Sequence, residues 1–150
     1  MSVIQRLIDK NISITTAESC TGGLIASEIV SFSGVSSIYS GSVITYSNEM
    51  KEKLLGVDKK TLEKFGAVSK ECVKEMCDGV SKVFDADISI AVSGVAGPNG
   101  GTSFNPVGSV IIGIKFQNIY KIERNLFNGN RKIIQQKARD RAFEMIKELL

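Results

Sequence analysis

The stretch Ile12-Ser13-Ile14-Thr15-Thr16-Ala17-Glu18-Ser19-Cys20-Thr21-Gly22-Gly23-Leu24-Ile25 decides the fold. Ile12 to Thr16 alternates like a half-buried strand, whereas Leu24, Ile25, Ile29 and Val30 recur at helical spacing. Between the two patterns lie a carboxylate, hydroxyls, a thiol and a pair of glycines. Small polar residues suit a strand-to-helix turn as caps, but this density of reactive groups exceeds what a cap needs. The chain has no histidine. A nucleophile at Ser19 must therefore take its base from a lysine, a carboxylate or water.

Outward from this turn the chain alternates helix and strand. A short helix is expected over 2–10, the first strand over 12–16 and a helix over about 20–31. Ile38 to Tyr46 reads as a second strand, and 51–55 and 59–64 as short helical pieces. Val73, Met76, Cys77, Val80, Val83 and Phe84 form an apolar stripe on a helix over 70–84. Ile88 to Val92 reads as a strand buried on both faces. Val107 to Phe116 and Ile119 to Phe127 flank Gln117-Asn118, a hairpin turn signal, and a last helix runs over about 131–150.

Composition sets the frame. The 150 residues, 43% hydrophobic and 23% charged, suit one globular domain over 1–150 with a proper core. No apolar run approaches a membrane span, and no signal peptide opens the chain. The net charge of +3 is mild. Apart from Arg131, Lys132, Lys137, Arg139 and Arg141, the basic residues are scattered, so nucleic-acid binding is not indicated. Cys20, Cys72 and Cys77 make neither a C-x-x-C pair nor a zinc set. A reduced, cytoplasmic protein without metal or cofactor is expected.

Helices between the first three strands imply parallel pairing through right-handed crossovers. Ligands then bind beyond the carboxyl ends of those strands. Segments 17–23, 46–51 and 93–106 follow those ends and should meet along one edge. The segment Ser93-Gly94-Val95-Ala96-Gly97-Pro98-Asn99-Gly100-Gly101-Thr102 suits an anion cradle, or equally a tight turn. In Tyr46-Ser47-Asn48-Glu49-Met50-Lys51, the lysine reads as a solvated charge, or as a base if the site is crowded. Serving as a base at neutral pH requires its cation to be destabilised by about 4 kcal/mol. Tyr46 would orient it or bind substrate.

Ala17-Glu18-Ser19-Cys20-Thr21-Gly22-Gly23, Tyr46-Ser47-Asn48 with Lys51, Gly66-Ala67-Val68-Ser69, Ser93 to Pro98 and Pro106-Val107-Gly108 occur in an order that resembles the CinA C-terminal domain family. The resemblance covers nearly the whole chain. It implies a three-layer α/β/α fold with a mixed five-stranded sheet, order 2-1-3-4-5, the fourth strand antiparallel. It implies the stand-alone form of the domain and hydrolysis of the carboxamide of nicotinamide mononucleotide, giving nicotinate mononucleotide and ammonia. Ser19 would be the nucleophile, Lys51 the base, and backbone N–H groups after Ser19 the oxyanion donors.

The resemblance further implies a substrate site built from Cys20, Thr21, Gly22, Gly23, Ser93, Gly94, Gly97, Gly101 and Thr102. Arg131 matches a family arginine and would pair with phosphate. Glu18 would orient Lys51 or cap the helix, and Cys20 is the rival nucleophile. Val35, Ser42, Asn105 and Gln135 depart from the family pattern, the last two removing basic groups that could meet a phosphate. A homo-oligomer, dimer or higher, is expected if a partner covers the apolar edge of 119–127. The alternatives are a catalytically silent nucleotide-binding module, an interaction subunit, and an amidase for another substrate.

Overall fold

In the computed structural model, which describes residues 1–150, five strands and six α-helices follow one another. They are α1 (Val3–Lys10), β1 (Ile14–Glu18), α2 (Leu24–Val30), β2 (Val43–Ile44), α3 (Asn48–Leu55), α4 (Lys59–Phe65), α5 (Lys70–Phe84), β3 (Ile88–Gly94), β4 (Ser109–Phe116), β5 (Ile119–Leu126) and α6 (Arg131–Leu149). Most helices begin where a short polar side chain replaces a missing acceptor. Ser2, Ser47, Asp58, Ser69 and Asn130 each accept from a backbone N–H of the first turn.

The sheet order is β2-β1-β3-β4-β5. β1 pairs in parallel with β2 and β3, and β4 is antiparallel to both β3 and β5. The expected mixed sheet is therefore present, and its switch point lies between β1 and β3. Side chains alternate between two cores. Ile14, Ile90, Val92, Val110, Ile112 and Ile114 pack with Ile4, Leu7, Ile25, Ile29, Ile134, Ala138 and Met145 from α1, α2 and α6. Ala17, Ala91 and Ile111 face Val73, Met76, Cys77 and Val80 of α5 on the other side. Each such buried aliphatic side chain contributes about 1.5–3 kcal/mol. At Gly113 a Cβ would lie 2.6 Å from Val73 Cγ1, so the absent side chain lets α5 seat directly on the sheet.

β1, α2 and β2 differ most from expectation. β1 runs to Glu18, so this residue belongs to the strand and not to the loop, and α2 begins only at Leu24. Gly22 and Gly23 have φ of 60° and 104°, a reversal that ends any helix there. β2 has two residues instead of nine expected over 38–46. The physical reason lies in side chains that take the place of the ladder. Thr15 Oγ1 donates to the Gly41 carbonyl at 2.7 Å, and Thr16 N–H donates to Ser42 Oγ at 3.2 Å. Residues 38–42 thus lie along β1 without regular backbone pairing.

β5 forms one edge of the sheet, with Ile119 and Leu126 exposed. Arg141 of α6 clasps Glu123 of this strand through two hydrogen bonds of 2.7 Å. No helix is long and apolar enough to cross a membrane.

Candidate active site

β1 ends at Glu18, and the next residue, Ser19, sits just beyond the carboxyl end of the strand with its N–H bonded to the Val92 carbonyl of β3 at 3.1 Å. Ser19 shares the strand parity of Ala17, so its side chain faces the α3/α5 layer. There Lys51, in the first turns of α3, extends its amine beneath it. Nζ lies 3.2 Å from Ser19 Oγ, 2.8 Å from the Thr45 carbonyl oxygen and 3.5 Å from that of Tyr46. Lys51 is only 1% exposed. No carboxylate lies within ion-pair distance of it.

Burial pushes the Lys51 pKa down, opposed by the negative charge that Cys72 and Cys20 would carry as thiolates. Those thiolates do not form near neutral pH, because burial raises Cys72 to about 11 and Cys20 to about 12. Desolvation therefore acts nearly alone. As a free amine, Lys51 would have two N–H bonds for the two carbonyls and one lone pair left for the Ser19 hydroxyl. That arrangement can take a proton from Ser19. The same burial keeps Cys20 a thiol near neutral pH.

Glu18, fully buried, points to the opposite layer. Its carboxylate accepts from Thr16 Oγ1, Thr21 Oγ1 and the N–H groups of Gly23, Ile25 and Ala26 at 2.7–3.1 Å. Of the two roles left open for it, capping α2 is the one the geometry shows. It makes no contact with Lys51. Ser42 extends the network, lying 2.7 Å from Thr16 Oγ1 and accepting from the Tyr39 hydroxyl at 2.7 Å. One departure from the family pattern is thereby explained, and Val35 is another, buried in the α1/α2/α6 core.

A cleft of about 250 Å³ opens over Ser19 and Lys51. Gly94 at the end of β3 and Val95, Ala96, Gly97, Asn99 and Gly100 of the β3–β4 loop form one wall. The N–H groups of Ala96, Gly97, Asn99 and Gly100 donate to no protein acceptor, leaving them for an anion or water. Arg131 closes the mouth: its guanidinium donates to the Gly97 carbonyl and, at 2.9 Å, to the Tyr46 hydroxyl. The N–H groups of Cys20 and Thr21 also lack a backbone acceptor. Open donors of this kind can stabilise an oxyanion.

Ser19, Cys20, Tyr46, Lys51, Ser93, Gly94, Gly97 and Arg131 are thus brought together at the cleft. Gly22 and Thr21 line a separate recess with Gln135, and the Thr21 hydroxyl and Gly23 N–H are engaged by Glu18. Gly101 and Thr102 lie outside the cleft, where Thr102 Oγ1 accepts from Asn105 N–H at 2.9 Å. Reasoning from sequence missed Asn48, Ala67 and Val68 as cleft walls and the Thr45 carbonyl as the lysine's anchor. Gly66-Ala67-Val68-Ser69 and Tyr46-Ser47-Asn48 carried a signal as family motifs. Thr45 carried none, because a carbonyl is common to every residue.

The remaining departures also have partners. Asn105 Nδ2 donates to the Val68 carbonyl at 3.4 Å, and its Oδ1 accepts from Arg124 at 2.6 Å. Gln135 Nε2 donates to the Cys20 carbonyl at 2.9 Å. Of the basic residues near the C-terminus, Lys137 binds the Asn128 carbonyl, Arg139 pairs with Asp140 and Arg141 with Glu123. No cluster of His, Cys, Asp or Glu has metal-ligand geometry.

Comparison with known proteins agrees along the chain. The model of the CinA C-terminal domain matches residues 1–150. CinA-like proteins of Thermosipho melanesiensis and Fervidobacterium nodosum are 48% and 47% identical over 99% and 97% of this chain. The chain spans about a third of the length of these relatives, 37% and 36%. Among solved structures, the competence damage-inducible protein A from Klebsiella pneumoniae superposes with a TM-score of 0.94 at 38% identity, covering 97% of this chain and 91% of that one. CihA from Agrobacterium tumefaciens gives 0.94 at 34% identity, covering 98% and 90%. The chain belongs to the CinA C-terminal domain family.

Proposed function

We propose that this domain is an amidohydrolase that converts nicotinamide mononucleotide to nicotinate mononucleotide and ammonia, acting in the cytoplasm within pyridine nucleotide salvage. The observation that carries this reading is the buried, unpaired Lys51 amine 3.2 Å from Ser19 Oγ at the floor of the cleft. In the first step neutral Lys51 takes the Ser19 proton while Oγ bonds to the carboxamide carbon. The oxyanion lies against the Cys20 and Thr21 N–H groups. The Lys51 ammonium then gives its proton to the amide nitrogen, the C–N bond breaks and ammonia leaves. Water, deprotonated by Lys51, attacks the resulting ester and releases the carboxylate and Ser19.

The phosphate would meet Arg131 and the open N–H groups of the 96–100 segment, while Ser93 and Tyr46 would border the ribose and ring. The mechanism uses only side chains and backbone donors of this chain. A homo-oligomer covering the β5 edge belongs to the same proposal, and sedimentation of the purified protein tests it. The mechanism is tested by acid quench during turnover, followed by mass spectrometry of the Ser19 peptide. A nicotinoyl nucleotide ester on Ser19 supports it. Rapid turnover with no adduct, and an unmodified Ser19 at every quench time, would favour direct attack by water.

A further inference from the structure

Gln135 lies 115 residues from Cys20 along the chain, yet its side-chain amide donates to the Cys20 carbonyl at 2.9 Å. That carbonyl belongs to the same peptide group as the Thr21 N–H. In a trans peptide the C=O and N–H point in opposite directions across a plane. The carbonyl points to α6, which covers the sheet face opposite α5. The N–H therefore points back toward the layer that holds Ser19 and Lys51. It has no protein acceptor, although Thr21 is only 2% exposed. A buried backbone donor without a partner is uncommon and marks a place kept for something else.

The Gly22 N–H donates to the Ser19 carbonyl at 3.1 Å and closes a turn around this peptide, whose own C=O and N–H enter no backbone hydrogen bond. Glu18 fixes Gly23 N–H and the Thr21 hydroxyl but leaves the Cys20–Thr21 peptide untouched. Gln135 is the side chain that holds it. A donor on the carbonyl also polarises the amide and strengthens its N–H as a donor.

We propose that Gln135 is a positioning residue of the active site: from α6 it holds the Cys20–Thr21 peptide so that Thr21 N–H faces the oxyanion formed at Ser19. The inference rests on the reading of Ser19 as the nucleophile. Its effect falls on the transition state and not on substrate affinity, because the oxyanion exists only after attack.

The test compares wild type with Gln135→Leu and Gln135→Glu, which lack a donor at neutral pH, and with Gln135→Lys, which keeps one. With nicotinamide mononucleotide, kcat should fall about tenfold in the first two at unchanged KM, less than the ~10²–10³ lost when an oxyanion donor is deleted. Gln135→Lys should recover most of that loss. The Cys20 carbonyl ¹³C resonance should move upfield in Gln135→Leu and stay near its wild-type position in Gln135→Lys. A rise in KM alone, an unchanged kcat, or a loss that Lys does not rescue overturns the proposal. If wild type itself releases no ammonia, the amidase reading fails; a carbonyl resonance that does not move in Gln135→Leu then overturns the positioning role on its own.

Discussion

Replacing Lys51 by methionine should make the protein more stable while abolishing turnover. Methionine has the length of the lysine stem and no charge. The loss is the hydrogen bond to the Thr45 carbonyl at 2.8 Å, with the weaker one to Tyr46 at 3.5 Å. Together these are worth about 1–2 kcal/mol, including the carbonyl left unpaired. The gain is relief from holding an amine with no counter-ion at 1% exposure. Replacing buried charge by a well-packed apolar group commonly stabilises by about 1–4 kcal/mol. The midpoints of these ranges leave a net gain of about 1 kcal/mol at pH 7, a Tm rise of roughly 2–4 °C for a domain of this size. Active sites often sit at such a cost in stability.

The pH dependence identifies the cause. In the unfolded chain lysine titrates near ~10.4, and in the fold its pKa is lower. Between those two values the unfolded state binds more protons, so wild-type stability rises with pH. Below the folded value the penalty is complete. The advantage of Lys51→Met should therefore be largest at low pH and shrink toward zero as pH approaches ~10.4. The buried thiols act in the opposite sense above pH 9, their folded values being raised to about 11–12. Both proteins share them, and Lys51 reaches Cys20 and Cys72 only where those thiols ionise, so below pH 9 the difference between the two melting curves isolates the lysine. Thermal melts of both proteins from pH 6 to 10 provide the assay. A variant less stable than wild type by a constant amount across that range would refute the reasoning, because the amine would then be a stabilising cation and not one whose pKa burial lowers.

Three further outcomes follow from the same geometry. Glu18→Gln replaces one acceptor oxygen by a donor facing buried donors, so it should cost about 2–4 kcal/mol and lower Tm by roughly 4–16 °C, as read by thermal melting, with no change in the pH dependence of any remaining kcat. Cys20→Ala should retain turnover, and native wild type should resist iodoacetamide at Cys20 at pH 8, since burial holds that thiol at about 12; rapid alkylation there would contradict its packed role. Arg131→Ala removes the clasp on Gly97 and Tyr46, and steady-state kinetics should show KM for nicotinamide mononucleotide raised about tenfold or more, with a smaller change in kcat, as expected for a lost phosphate contact of about 1.5–3 kcal/mol.

How far the sequence carried these conclusions varies by residue. The strand-to-helix turn was legible because alternating and helical periods meet at Thr16–Leu24 and glycines mark the reversal. The 2-1-3-4-5 order came with the family resemblance, while parallel pairing of the first strands followed from the helices between them. β2 was misjudged because apolar pattern does not reveal that Thr15 and Ser42 hydroxyls replace ladder bonds. Glu18 had two readings until parity was fixed: a strand ending two residues later than expected turns its carboxylate to the α2 side. Lys51 reads as an exposed helix-start charge on local pattern alone. Its burial depends on α5 and on the carbonyl of Thr45, contacts made between segments distant in sequence or through backbone atoms. Gln135 was legible only as a departure from the family pattern, since its partner is a main-chain carbonyl 115 residues away.

The central claim is that Ser19 and Lys51 act as one hydrolytic unit on nicotinamide mononucleotide. The direct measurement is ammonia release from that substrate by wild type, Ser19→Ala and Lys51→Ala, each shown to be folded by its melting curve. Wild type should release one ammonia per nicotinate mononucleotide at a steady rate, and each variant should lose at least about 10³-fold, with no further loss when the two are combined. Folded wild type that releases no ammonia, or a Ser19→Ala protein that turns over like wild type, would contradict it.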